Sequence, residues 1–264
     1  MQGFAFCNEL FDASPFQTAT QLAALGYAGI ELDARCLATL DLEQFRRHCA
    51  EQRIAIVGLH WLIARESLHL THPDATIRAN TLCHLQTLVA QCAQLGGQVM
   101  VLGSGRQRRL LDGVTFAQGM QFAAETLTVL GGDLVAHNVR LGIEPLAASD
   151  NFITHAHIAA ELVERVACSH IGLTLDVRAM QAETRPRDEL IRTYRKYLAH
   201  IHVNDASGKG AGMGATDLRP MLSALRATDY RGWISVEAFD ATPDAATVAR
   251  ASLDYLKRNW GSDE

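Results

Sequence analysis

Short apolar segments alternate with longer amphipathic stretches along the whole chain. The short segments have the length of buried strands, whereas apolar residues in the longer stretches recur at helical spacing. The predicted strands cover residues 4–7, 28–32, 54–59, 99–102, 139–144, 171–176, 200–204 and 232–237. The predicted helices cover residues 15–25, 42–52, 74–95, 114–136, 153–167, 187–199, 218–227 and 245–259, and Gly131 and Gly132 are expected to interrupt the fourth.

Strand and helix therefore alternate eight times, an order typical of parallel sheets whose strands are joined by helices. A chain of 264 residues is long enough for one closed barrel of this kind. We predict an α/β fold, a single-domain (β/α)8 TIM barrel over residues 1–264, with an open doubly wound sheet as the alternative. Two long polar connections, at 61–73 and 205–217, follow strands, where barrel enzymes carry functional loops.

Four predicted strands end in, or next to, residues that commonly bind metal ions. Side chains alternate between the two faces of a strand, so residues two positions apart share a face. In each of these strands the candidate ligand shares its face with small or polar residues, while the aliphatic residues on the other face must meet the helices. The four candidates are Glu144, Asp176, His202 and Glu237. We expect them to lie together at the mouth of the barrel, where TIM barrel enzymes place their active sites.

Two further residues, Glu31 and His60, follow the same pattern on their strands. His60 shares its face of the strand with Gly58, while Val57 is expected on the other face. We predict that both side chains contact a substrate at the barrel mouth. Each also has a plainer interpretation: Glu31 as an ion-pair partner of Arg35, and His60 as a hydrogen-bonded core residue.

Three carboxylates and one imidazole suit a single divalent cation. Mn²⁺, Mg²⁺, Co²⁺ and Zn²⁺ all fit this donor set, and the sequence does not decide among them. Without a cation, carboxylates this close would repel one another. A bound ion could hold adjacent oxygens of a hydroxy-ketone and make the C–H bond between them more acidic. Glu144 and Glu237, one on each side of the substrate, are then the candidates to remove and return the proton.

Several short motifs occur along the chain in an order and spacing shared with one superfamily. They are GYAGIEL at 26–32, GLHWL at 58–62, IEPL at 143–146, LD at 175–176, HIHVND at 200–205 and GMG at 212–214 with Asp217. Together they resemble the xylose isomerase-like TIM barrels, and more narrowly the sugar phosphate isomerase/epimerase group. The resemblance implies that Glu144, Asp176, His202 and Glu237 bind the metal and that both Glu residues transfer protons. The implied reaction is sugar isomerisation or epimerisation by proton abstraction next to a carbonyl through a metal-stabilised enediolate.

The chain departs from the ketose 3-epimerases of that superfamily at two positions. Many relatives carry His three residues after the sixth-strand Asp, where this chain has Ala179, and the second carboxylate after the fifth strand is either Asp150 or absent. Three alternatives stay open: an inosose dehydratase-like lyase, an endonuclease IV-like phosphodiesterase and a non-catalytic sugar-binding barrel. The phosphodiesterase needs additional His ligands for three zinc ions, and none follows the fourth strand.

Four other residues near strand ends are candidates for contacting substrate. Trp61 could wall the pocket. Arg106 lies in the basic loop 103–109, which could hold a phosphate group. Lys209 lies in the glycine-rich segment 207–212, a loop that could close over a substrate. Asp205 ends the seventh-strand motif. Trp61 is otherwise interpreted as a residue that packs at the rim, and the basic loop as a solvated loop.

Composition restricts the partners. The net charge is −5 with His neutral and the charges are scattered, so we expect a small-molecule sugar or sugar phosphate as partner and neither nucleic acid nor a membrane surface. The six cysteines form no CxxC pair, which indicates buried thiols in a reducing compartment. No signal peptide pattern and no membrane-spanning apolar run occur, which predicts a cytoplasmic protein. A homo-oligomer is left open.

Overall fold

The eight strands of the computed structural model form a closed parallel barrel in chain order. The structure describes residues 1–146 and 150–261. The strands are Gly3–Cys7 (β1), Gly29–Asp33 (β2), Ala55–His60 (β3), Val99–Leu102 (β4), Arg140–Ile143 (β5), Ile171–Asp176 (β6), Leu198–Val203 (β7) and Trp233–Val236 (β8). β1 pairs with both β2 and β8, which closes the sheet. The predicted TIM barrel is confirmed, and the open doubly wound sheet is excluded because the barrel has no free edge.

One α-helix follows each strand. The helices are Pro15–Leu25 (α1), Leu42–Gln52 (α2), Ala75–Leu95 (α3), Phe116–His137 (α4), Ala156–Val166 (α5), Arg187–Tyr194 (α6), Arg219–Ala227 (α7) and Ala245–Trp260 (α8). Side chains such as Ser14 and Asp41 accept a hydrogen bond from the first turn, which fixes where α1 and α2 begin. Within the described part of the chain, none of the helices is long and apolar enough to cross a membrane.

Two helix predictions were wrong. α4 runs through Gly131 and Gly132 without a break. Each glycine weakens a helix by about 1 kcal/mol relative to alanine, but Gly131 packs against the connection between α5 and β6, where a Cβ would be 3.1 Å from Sγ of Cys168. Packing against the rest of the fold therefore outweighs helix propensity here. α6 ends at Tyr194, earlier than predicted, because the backbone tightens into a 3-10 turn over Arg195–Tyr197 and β7 begins at Leu198.

The two faces of the strands divide largely as the alternation predicts. Aliphatic residues such as Leu141 and Leu173 point outward into the main hydrophobic core under the helices. A smaller cluster, consisting of Ala5, Val57, Val99 and the partly buried Trp233, is separate from that core. It lies inside the barrel, because Ala5, Val57 and Trp233 surround the position that a Cβ of Gly29 would take. The barrel interior is therefore packed with side chains at its N-terminal end and leaves the other end for chemistry.

Val57 differs from the prediction, which placed it on the helix side of β3. The pairing of β2 with β3 shifts register between Ile30 and Glu31, so β3 contains one extra residue at this point. Such a bulge reverses the direction of side chains on one side of it. Val57 consequently faces inward, while His60 keeps its predicted place beside the barrel mouth.

Candidate metal centre

Four side chains converge at the C-terminal end of the barrel. Glu144 directly follows β5, and Glu237 directly follows β8. Asp176 is the last residue of β6, and His202 is the last but one of β7. One nitrogen or oxygen atom of each lies within 4.8 Å of the others, and all four residues are buried. The structure thus brings together the set that strand alternation predicted as metal ligands.

The imidazole of His202 is oriented by a buried carboxylate. Its Nε2 lies 3.0 Å from Oε1 of Glu31. Its Nδ1 lies 3.2 Å from Oε2 of Glu237 and 3.9 Å from Oε1 of Glu144, and has no well-aligned hydrogen-bond partner within the described residues. When Nε2–H donates to Glu31, the Nδ1 lone pair stays free on the side of the cluster. A carboxylate behind an imidazole is typical of metal-binding histidines.

Glu31 lies behind this imidazole and does not line the cavity. Its Oε2 is 2.8 Å from Nε2 of His200, so the carboxylate bridges two imidazoles. Burial alone would raise the pKa of Glu31, but His200 and His202 hold that pKa well below its ordinary value. The sequence analysis expected Glu31 to contact substrate or to pair with Arg35. In the structure, Arg35 pairs with Asp33 instead. Glu31 contacts His202 and so holds that imidazole in place.

The carboxylates of the cluster lie close enough to repel one another. Burial raises the pKa of Glu144 well above its ordinary value, and the charges of Glu237 and Asp176 raise it further. Burial and the charge of Glu237 raise the pKa of Asp176 to about 6. Burial also opposes ionisation of Glu237, but the nearby His202 lowers the pKa of that carboxyl below its usual value. A divalent cation would relieve this repulsion without protonating the carboxylates.

The residues present fit such a cation. They offer three carboxylates and an imidazole nitrogen without a hydrogen bond, which is a donor set for Mn²⁺, Mg²⁺, Co²⁺ or Zn²⁺. Two other groups of neighbouring donors both contain Cys7: one with Glu9 and His60, the other with Glu31 and His202. Each of those groups offers a single carboxylate, and its imidazole lies directly against that carboxylate, as Nε2 of His60 does against Oε2 of Glu9 at 2.8 Å. The four-residue cluster is therefore the candidate metal centre.

Asn204 belongs to this centre, although the sequence analysis gave it no role. Its Nδ2 donates to Oδ2 of Asp176 at 2.7 Å and to the carbonyl of Glu237 at 3.0 Å. Its Oδ1 accepts a hydrogen bond from the backbone N–H of Arg178 at 3.0 Å. A single amide thus links the ends of β6 and β8. Its position two residues after His202 was the signal available in the sequence, because alternation puts both on one face.

Arg108 is fully buried and anchors the backbone beside Glu144. Its guanidinium donates to the carbonyls of Leu102 at 2.7 Å and Glu144 at 2.5 Å, and to Oδ2 of Asp150 at 2.6 Å. Asp150, the candidate for a second epimerase carboxylate, is held by Arg108 and does not line the cavity. The sequence analysis singled out Arg106 in the same loop and missed Arg108, because its partners are distant in sequence.

A cavity of about 830 Å³ opens at the metal centre, and its wall includes every candidate ligand except His202. This volume lies within the range of small-molecule sites. Three of the predicted substrate-binding residues, His60, Trp61 and Arg106, also line it. Glu31, Asp205 and Lys209 are not part of its wall.

Asp205 and Lys209 lie in the loop after β7. The carboxylate of Asp205 is buried and accepts hydrogen bonds from the backbone N–H groups of Ser207 and Thr216, both at 2.8 Å. The sequence Asp-Ala-Ser-Gly at 205–208 favours a turn of this kind, in which the Asp side chain bonds to the backbone two residues on. The turn occupies the carboxylate that was expected to contact substrate. Lys209 is exposed to solvent.

Gly103 leaves the space that the Glu144 carboxylate occupies. A Cβ at this position would lie 2.5 Å from Oε2 of Glu144, closer than non-bonded atoms approach.

We expect Gly103→Ala to displace this carboxylate and to weaken Mn²⁺ binding by roughly 10- to 100-fold in a titration followed by calorimetry. The matched control is Gly132→Ala on α4, where a Cβ meets nothing within 4 Å. It should bind Mn²⁺ normally and gain up to about 1 kcal/mol of stability. Equal Mn²⁺ affinities in the two variants would contradict the role given to Gly103.

Comparison with protein-family models gives a match over residues 19–259, to the family described as xylose isomerase-like TIM barrel. The chain belongs to the xylose isomerase-like TIM barrel family. The resemblance that the sequence motifs indicated is confirmed. The match covers every strand from β2 to β8, and with them all four candidate ligands.

Relatives of this xylose isomerase-like barrel include sugar epimerases. A probable ketose 3-epimerase from Synechocystis sp. is 22% identical over 260 residues, covering 89% of this chain and 87% of the relative. The 3-dehydro-D-guloside 4-epimerase of Escherichia coli is 23% identical over 192 residues, covering 68% and 71%. A crystal structure of D-psicose 3-epimerase in the presence of D-fructose superposes with a TM-score of 0.89 at 18% identity, covering 98% of this chain and 100% of that one. At this identity, the structural likeness establishes the fold.

Proposed function

We propose that this protein is a divalent-metal-dependent sugar isomerase or epimerase that removes and returns a proton at a carbon next to a carbonyl. The observation that carries the proposal is the convergence of four buried potential ligands from the ends of four different strands, three of which line a cavity of substrate size. Sugar epimerases among the relatives support the reaction class. The fold alone would not, because TIM barrels serve many reactions.

The side chains that would hold the cation are those of Glu144, Asp176, His202 and Glu237. When bound, the cation would draw electron density from adjacent oxygens of a hydroxy-ketone and so acidify the C–H bond between them. Asn204 keeps Asp176 in place through the 2.7 Å hydrogen bond to its Oδ2. Glu31 keeps His202 in the tautomer that leaves Nδ1 free.

Glu144 and Glu237 would transfer the proton. Both line the cavity, and they come from β5 and β8, which are separated by two strands. Two carboxylates that reach a substrate from different strands can act on different faces of the same carbon, as epimerisation requires, or on neighbouring carbons, as isomerisation requires. Gly103, Arg108 and Asn204 fix the backbone and the space around this pair.

His60 would bind a substrate hydroxyl beside the metal centre, because its ring centroid lies 6.5 Å from that of His202. Its side chain is almost fully buried, lines the cavity and pairs with Glu9 at 2.8 Å. Such a pair holds the imidazole in one orientation, which is what positioning a substrate requires.

Solvent exchange tests the proposal. The protein loaded with Mn²⁺ should incorporate deuterium from D₂O into at least one member of a ketose panel, at a carbon next to the carbonyl. EDTA should abolish this incorporation and added Mn²⁺ should restore it. An epimeric ketose as product would identify an epimerase, and an aldose would identify an isomerase. No incorporation into any ketose by protein with one bound ion per chain would contradict the proposal. Loss of water from an inosose would support the lyase alternative, and three bound zinc ions the phosphodiesterase alternative.

A further inference from the structure

The outer part of the cavity carries positive charge that the proposed reaction does not use. Three arginines line the cavity: Arg35 after β2, Arg106 after β4 and Arg178 after β6. Among the described residues, the only carboxylates in the wall are the three of the metal centre. Outside that centre, the lining residues therefore contribute cationic and neutral groups alone.

The charge of Arg35 is already balanced. Its Nε donates to both carboxylate oxygens of Asp33, at 2.9 and 2.7 Å. Its guanidinium also stacks on the ring of Trp61, 4.9 Å from the centroid. The guanidinium of Arg35 is thus paired within the protein, and its stacking contact holds the Trp61 ring in place at the cavity mouth.

Arg106 and Arg178 have no such partner. Neither forms an ion pair with a carboxylate within residues 1–146 and 150–261. Arg178 packs over the ring of Phe239 at 4.7 Å, a contact that leaves its N–H donors available. Both side chains are exposed to solvent at the cavity. Two guanidinium groups that face one cavity without a counter-ion favour an anionic ligand.

The backbone holds both arginines close to the metal centre. Arg178 follows Asp176 by two residues, and its N–H is fixed by Oδ1 of Asn204 at 3.0 Å. Arg106 lies in the short turn Gly105–Gln107, just after Gly103, which touches the space of Glu144. A ligand that reaches the metal centre with one end can therefore reach these guanidinium groups with the other.

We propose that Arg106 and Arg178 together bind an anionic group of the substrate, which makes the substrate an acidic sugar derivative with a phosphate or carboxylate remote from the reacting carbon. The planar guanidinium fork matches both groups and forms strong charge-assisted hydrogen bonds with them. This inference rests on the proposed function, because the metal centre fixes where the reacting carbon lies. The cavity of about 830 Å³ leaves room for the substituent.

Matched substrates test the inference with the Mn²⁺-loaded protein. The set consists of a neutral ketohexose, its 6-phosphate and the corresponding ketose with a carboxylate at C6. At least one anionic member should show a kcat/KM for deuterium incorporation about tenfold to a hundredfold above that of the neutral sugar. Arg106→Gln and Arg178→Gln should each remove about tenfold or more of this advantage, mainly through KM, and leave the neutral ketohexose unaffected. Arg109→Gln, in the same loop but outside the cavity wall, should change nothing. The faster anionic member identifies the group as phosphate or carboxylate.

Two results would overturn the inference and leave the proposed function standing. One is faster exchange into the neutral ketohexose than into both anionic sugars. The other is an equal loss for neutral and anionic sugars in the arginine variants. If no sugar exchanges, the proposed function fails, and inorganic phosphate then tests the arginines directly. Calorimetric titration of phosphate into the Mn²⁺-loaded protein should give about tenfold or more weaker binding in both variants. Unchanged phosphate affinity would overturn the anion site.

Discussion

Replacing Glu237 with Gln should lower turnover by about 10²- to 10⁴-fold and change sugar binding only a few-fold. Gln has the same size as Glu and keeps one oxygen for the cation, but it cannot accept a proton from carbon. Oε2 of Glu237 lies 3.2 Å from Nδ1 of His202, and the side chain lines the cavity. The substitution therefore removes the proton acceptor and changes the shape of the cavity wall very little. The expected loss lies in kcat and not in KM.

The measurement is turnover at saturating Mn²⁺, with bound metal quantified in the same samples. Glu51→Gln, which makes the same substitution at an exposed position on α2, is the control and should retain wild-type turnover. Turnover within tenfold of the wild type, in a Glu237→Gln sample that holds one metal ion per chain, would remove Glu237 from the mechanism.

Replacing Arg108 with Met should lower the free energy of unfolding by about 3–5 kcal/mol. The methionine fills part of the space, but the carboxylate of Asp150 is left buried without its cation. The carbonyl of Glu144 also loses its 2.5 Å hydrogen bond. For a chain of this size, the melting temperature should fall by roughly 6–20 °C. Turnover should fall as well, because the backbone that carries Glu144 is no longer fixed.

A double-mutant cycle separates the ion pair from the loss of packing. Asp150→Asn in the Arg108→Met background removes the uncompensated charge, so the double variant should regain about 2 kcal/mol relative to Arg108→Met alone. Arg109→Met, an exposed neighbour on the same loop, should change stability by less than about 0.5 kcal/mol. Chemical denaturation measures these three variants together with the wild type and the single Asp150→Asn variant, which completes the cycle. A stability loss below about 1 kcal/mol in Arg108→Met would show that the buried pair does not anchor this loop.

The sequence predicted the barrel and the convergence of the candidate ligands because both depend on local periodicity. Eight strand–helix alternations determine the topology, and the alternation along each strand places Glu144, Asp176, His202 and Glu237 on the inner face. Which of these four residues bind the metal, and which transfer a proton, stays a prediction. Helix boundaries with strong caps, such as Ser14 before α1, also followed from the sequence.

Features that depend on contacts between distant segments could not be predicted. The inward turn of Val57 arises from a register shift between two strands, and the continuity of α4 through Gly131 depends on packing against Cys168. The placement of Glu31 depends on two histidines about 170 positions away. The burial of Arg108 requires a carboxylate 42 residues later. Side-chain periodicity contains no information about such partners.

Anomalous diffraction from crystals grown with Mn²⁺ tests the central claim, which is that one cation binds where β5, β6, β7 and β8 end. The account predicts one peak per chain at the Mn edge, about 2 Å from a donor atom of each of the four candidate ligands. These ligands are Glu144, Asp176, His202 and Glu237. A peak at the cluster of Cys7, Glu9 and His60 in its place, or no peak near the four ligands, would contradict the account.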